Sequence, residues 1–84
     1  MIHTIIECTK SAFKHGVSEA DIHHAILHPV YDEIQDSGDD KHLLLGFDCS
    51  MNLLEIAYNI IDEQKFKVFH AMKCRNSYHE LLRR

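Results

Sequence analysis

Hydrophobic positions along the 84-residue chain change period near its single proline, Pro29. Before it they recur at helical spacing, and after it they alternate. The clearest helix signal runs from Val17 to Pro29. Ser18 is placed to accept a bond from an orphan backbone N–H, and Asp21, three residues on, stands where a side chain reaches back to the cap. Val17 and Ile22 have the spacing of a hydrophobic staple. Ile22, Ala25 and Ile26, with Leu27 beside them, make an apolar stripe, and Pro29 ends it because the residue before proline is pushed out of the α region. Upstream, residues 9–16 read as a shorter helix with Thr9 as cap and Gly16 as left-handed terminator. Ile2 to Cys8 reads either as a short strand or as an extension of that helix.

Beyond Pro29 the alternation predicts strands. Val30 to Gln35 leads into the turn-forming run Asp36-Ser37-Gly38-Asp39-Asp40, an exposed reversal. His42 to Asp48 places Leu43, Leu45 and Phe47 on one side. Leu53 to Asp62 does the same for Leu54, Ile56, Tyr58 and Ile60, and Lys65 to Met72 for Phe66, Val68, His70 and Met72. Residues 49–52 and 62–64 are short enough to join antiparallel neighbours as hairpins. Asn76 or Ser77 caps a final helix through Tyr78, Leu81 and Leu82. The expected architecture is one α+β domain over residues 1–84. It has two N-terminal helices, an antiparallel three- or four-stranded meander sheet with the helices on one face, and a short C-terminal helix.

Composition narrows the class. The chain is 45% hydrophobic and 26% charged, with three Gly and one Pro, which is globular rather than disordered or fibrous. No apolar run approaches the roughly 20 residues that span a bilayer, and His3, Glu7 and Lys10 interrupt the N-terminal apolar residues where a signal peptide needs a continuous core. The expectation is a cytoplasmic protein with no membrane partner. Cys8, Cys49 and Cys74 are odd in number, widely spaced and without a Cys-x-x-Cys pair, so neither a disulfide framework nor a zinc ribbon is indicated.

The net charge of −4 conceals a segregated surface. Residues 19–63 carry eleven acids against Lys41 alone, whereas residues 65–84 carry six Lys or Arg against Glu80. A basic, histidine-containing end is the electrostatic footprint of phosphate or RNA recognition, although basic residues in a last strand and helix also occur as plain solvated faces. Metal-independent RNA cleavage needs a base for the 2′-hydroxyl proton, an acid for the leaving oxygen and cations for the phosphorane charge. The tail offers these types: His70 as base or acid, Lys73 and Arg75 as phosphate partners, and Tyr78 or His79 as a second proton-transfer group or stacking surface. Lys65, Lys67, Arg83 and Arg84 are the candidate RNA-binding residues. Alternation sets His70 beside Phe66, Val68 and Met72, so a buried or half-buried histidine with a backbone partner is the competing reading.

Two motifs, Lys14-His15-Gly16-Val17-Ser18 opening a helix and the strand Val68-Phe69-His70-Ala71-Met72 leading into Lys73 and Arg75, resemble those of the small BrnT-type toxins of bacterial toxin–antitoxin pairs, members of the RelE-like ribonuclease superfamily. The likeness in order of elements covers nearly the whole chain. It implies a RelE-like fold and an endoribonuclease that cuts messenger RNA and is silenced by a protein antitoxin. The chain departs from such toxins, usually strongly basic, in its isoelectric point of 6.0.

Two further features of the chain point elsewhere. His24 and His28 lie four apart on the second predicted helix with Asp21 one turn earlier, a spacing that can pinch zinc. No third and fourth ligand is evident there, and His28 at a helix C-terminus is explained by the dipole, so neither a metal nor a cofactor is assigned. The acidic group Asp32, Glu33, Asp36, Asp39 and Asp40 serves solubility and edge protection, or imitates nucleic-acid phosphate or docks a basic partner. The alternative function is therefore a non-catalytic interaction module that forms a homo-oligomer or binds a basic partner.

Overall fold

The computed structural model describes residues 5–35 and 41–83. Its architecture is α+β, built on one five-stranded mixed sheet of order β1-β5-β4-β3-β2. The strands are β1 (Ile5–Cys8), β2 (Pro29–Ile34), β3 (Lys41–Phe47), β4 (Leu53–Asp62) and β5 (Lys65–Lys73). Helix α1 (Glu19–Leu27) lies in the N-terminal half, and the short α2 (Asn76–His79) near the C-terminus runs into a 3-10 turn at Glu80–Arg83. Among the described residues, no helix is long and apolar enough to cross a membrane.

This corrects the expected two N-terminal helices over an antiparallel meander of RelE-like arrangement. The segment foreseen as the first helix is a four-residue 3-10 turn, Lys10–Phe13. Thr9 caps no backbone N–H there; its hydroxyl shares a 2.8 Å bond with Ser11, whose own hydroxyl donates to the Phe69 carbonyl at 2.7 Å. Side chains that bond sideways to a neighbouring strand compete with helix propagation, and Gly16, at φ 82°, takes the left-handed turn that releases the chain toward α1. Ile5–Cys8 is a strand, and it pairs in parallel with Lys65–Val68 of β5. That parallel edge makes the sheet mixed. Asp36 to Asp40 and Ile2 to Thr4 lie outside the described residues.

Helix α1 follows its sequence signals. Ser18 Oγ accepts from Asp21 N at 3.1 Å, while the Asp21 carboxylate accepts from Cys49 N at 3.1 Å and so ties the helix start to the β3–β4 turn. Ile22, Ala25 and Ile26 are buried against Leu44, Leu54, Ile56, Tyr58, Val68 and Ala71, which form the core on one sheet face. Contact is closest at Gly46 of β3, where a Cβ would collide with the Ala25 carbonyl. Leu43, Leu45 and Cys74 form a second cluster with Tyr31, Leu53, Tyr78 and Leu81. The C-terminal helix thus covers the face opposite α1, which corrects the expectation of helices on one face and explains why residues 43–46 are buried on both sides.

Candidate functional site

On the α1-distal face the sheet and the C-terminal segment frame an open cavity of about 320 Å³. Gln35, Lys41, Leu43, Glu55, Ala57, Phe69, His70, Arg75 and Tyr78 line it. Its shape depends on one irregularity in β5. Ala57 pairs with His70 and Tyr58 with Val68, leaving Phe69 as an extra residue. This bulge breaks the alternation: Val68 and Ala71 both face α1, and His70 turns to the other side. His70 is therefore not a core histidine beside Val68 with a backbone partner.

At the centre of the lining is Glu55, 1% exposed. A buried carboxylate is costly unless it is paired and bonded, and this one accepts four N–H bonds. His70 Nε2 donates at 2.9 Å, and Arg75 donates from its backbone N at 3.0 Å, from Nε at 2.9 Å and from Nη2 at 2.7 Å. Burial alone would push the Glu55 carboxyl up, but the Arg75 and His70 bonds outweigh it and hold the group below the ordinary carboxylate range. The Arg75 guanidinium is in turn held above its ordinary value by the Glu55 bond and charge. It also stacks 4.7 Å above the Tyr78 ring.

Two consequences follow for reactivity. An ionised carboxylate only accepts, so Nε2 of His70 carries the proton and Nδ1 is the ring's basic atom. Arg75 has five N–H donors and commits two to Glu55, so three remain. With Arg75 and Lys41 against Glu55, the lining is cationic even when His70 is neutral. The Lys41 ammonium lies 5.7 Å from the Phe69 ring, and the His15 ring, outside the lining, meets His70 edge-on at 5.5 Å.

Of the residues expected from sequence, His70, Arg75 and Tyr78 come together here. Lys73 pairs with Leu54 and so shares the α1-side face, and His79 is exposed outside the lining. Lys65 and Lys67 sit toward the other end of β5 beside β1, where Lys65 pairs with Glu7 at 3.0 Å. Arg83 is exposed on the last turn, and Arg84 lies outside the described residues. Glu55, Lys41 and Phe69 were not foreseen. Glu55 carried a signal: it is the one charge inside the apolar run Leu53–Tyr58.

The other expected constellations resolve into structure. His24 Nδ1 bonds the Phe47 carbonyl at 2.7 Å, and Asp21 serves Cys49, so these two hold α1 to the end of β3 and the turn after it, while the exposed His28 ring lies 4.4 Å from that of His24. Asp32 accepts from the buried Tyr58 hydroxyl at 2.7 Å and lies 3.3 Å from His42 Nδ1, an internal role for part of the acidic stretch. No protein-family model matches this chain.

Proposed function

We propose that the Glu55 cavity is a metal-independent RNA-cleaving site and that the chain is the toxin of a type II toxin–antitoxin pair, acting on messenger RNA in the cytoplasm and silenced by a protein antitoxin. The observation that carries this reading is the convergence of His70 and Arg75 on one buried carboxylate at the wall of an open cationic cavity. The resemblance of the Lys14–Ser18 element and of the strand through His70 to BrnT-type toxins supports it.

His70 Nδ1 takes the proton of a ribose 2′-hydroxyl, and Glu55 stabilises the imidazolium that forms and fixes its orientation. The 2′-oxygen attacks the adjacent phosphorus. The three remaining N–H donors of Arg75 and the Lys41 ammonium neutralise the phosphorane, with the Arg75 guanidinium held in place by its bonds to Glu55. The 5′-oxygen leaves with a proton from Tyr78 or Lys41, and the product is a 2′,3′-cyclic phosphate. Phe69 offers a ring on which an unstacked base can lie.

Expression of the free protein tests the biological half. Growth arrest relieved by the neighbouring gene, and abolished by His70→Ala or Arg75→Ala, is the expected outcome. Harmless high-level expression as a symmetric oligomer assigns the chain instead to the non-catalytic interaction modules.

A further inference from the structure

Across the sheet from the RNA cavity, three potential ligands from two elements converge. Cys8 ends β1 and packs against the α1-side core; Glu19 and His23 lie four apart on α1. One ligand atom of each, the Cys8 sulfur, a Glu19 carboxylate oxygen and a His23 ring nitrogen, lies within 4.8 Å of the other two. A second observation is independent of this clustering: Nε2 of His23 is buried and has no hydrogen-bond partner among the described residues. Buried polar atoms are rarely left without a partner, because the desolvation they suffer is then uncompensated.

We propose that Cys8, Glu19 and His23 form a zinc site that clasps the edge strand β1 to helix α1. One thiolate, one imidazole and one carboxylate make a borderline-soft donor set suited to Zn²⁺ rather than to Mg²⁺ or Ca²⁺. In a tetrahedral zinc site, ligand atoms lie about 3.3 to 3.8 Å apart, as bond lengths of roughly 2.0 to 2.3 Å require. The present separations, at most 4.8 Å, lie within about 1.5 Å of that range. Glu19 is exposed, so solvent reaches the fourth position. Binding forms the Zn–S bond as the Cys8 thiol loses its proton to solvent.

The site would supply what β1 lacks. Among the described residues β1 is a four-residue edge strand paired with β5, which packs Ile6 and Cys8 against the core only in part and leaves Ile5 56% exposed. A metal bond to α1 fixes that edge from the other side. The clasp is structural, lies on the sheet face opposite Glu55 and stands independently of the ribonuclease reading.

The test is titration of tag-free, metal-stripped protein with Co²⁺ as a spectroscopic probe, followed by displacement with Zn²⁺. The expected result is one Co²⁺ per chain with a sulfur-to-cobalt charge-transfer band, displaced by one equivalent of Zn²⁺, and a thermal midpoint that rises with zinc. Cys8→Ser abolishes the band, and His23→Gln weakens binding on the order of 100-fold, since even outer-shell changes cost up to that. Cys49→Ser and His28→Ala, which alter exposed residues outside the cluster, leave both unchanged. Glu19→Gln changes an exposed side chain without touching the core, so it keeps the test decisive if the Cys8 variant does not fold. Absence of the charge-transfer band in the wild-type protein, its survival in Cys8→Ser, or undiminished affinity in folded Glu19→Gln would overturn the proposal.

Discussion

Replacing Glu55 by Gln keeps the side chain's size while removing its charge and half of its acceptors. Four N–H donors now converge on the carboxylate, three from Arg75 and one from His70. An amide has one oxygen, and its NH₂ turns donors against donors. With the oxygen toward Arg75 N and Nε, those two bonds survive in weaker, neutral form. The Nη2 bond is lost, at a discount because the Arg75 side chain is 49% exposed and water replaces the partner. His70 must then switch tautomer, so that Nε2 accepts from the amide and Nδ1 carries the proton. Charge-assisted bonds contribute about 1.5 to 3 kcal/mol each, and relief from burying a carboxylate offsets part of the loss, so the net destabilisation is about 2 kcal/mol. For a domain of this length that is roughly 8 to 16 °C in thermal midpoint and, with a urea slope near 1 kcal/mol/M, a shift of about 2 M. Urea unfolding at pH 7 measures the first effect, and ¹⁵N shifts of the His70 ring measure the tautomer. A midpoint within about 0.3 M of wild type, together with an unchanged Nε2–H tautomer, would refute the reasoning about this carboxylate.

Other consequences are as specific. Because the folded Glu55 carboxyl sits below its ordinary value of 4.5, the stability it contributes is complete above pH 4.5 and disappears as pH falls through the folded value. The stability gap between wild type and Glu55→Gln should therefore close in acid below about pH 4.5, read from urea midpoints across pH; a gap that widens there contradicts the assignment. Gly46→Ala drives a methyl group into the Ala25 carbonyl and should cost about 3 kcal/mol or more, seen as a lowered thermal midpoint with α1 detached from β3. Tyr58→Phe removes the 2.7 Å bond to Asp32 and should cost about 1 kcal/mol, with Tyr58 itself 1% exposed and its phenol pushed up by burial and Asp32. Lys73→Ala and His79→Ala, which alter side chains outside the cavity lining, should leave RNA cleavage within about twofold of wild type, because neither touches the reacting groups.

Local chemistry was legible where a few adjacent residues decide it. Ser18, the Val17 and Ile22 pair and Pro29 specify α1 within a dozen residues, and the helix forms with the foreseen cap and buried stripe. Arg75 and Tyr78 announced themselves through the charge and ring content of the tail. The partner of β1 was not legible, because Ile5–Cys8 pairs with a strand 60 residues away, and a four-residue run does not reveal whether it will extend a helix or join a sheet edge. The face of His70 was hidden for a different reason. Strict alternation assigns it to the Val68 side, whereas a bulge needs only one extra residue, and Phe69 carries no glycine or turn signal to mark it. Lys73 falls on the far face through the same shift. Glu55 stood in plain view as a charge within an apolar strand, but its role appears only when Arg75 and His70, 20 and 15 residues later, reach it.

The central claim is tested most directly by incubating purified wild-type, His70→Ala and Arg75→Ala proteins with single-stranded RNA in the presence of a metal chelator and identifying the termini of the products. The account predicts 2′,3′-cyclic phosphate ends from the wild-type protein and a loss of about 10² to 10⁴ in rate in each variant. Wild-type protein that leaves RNA intact, or variants that cleave it as fast as wild type, would contradict it.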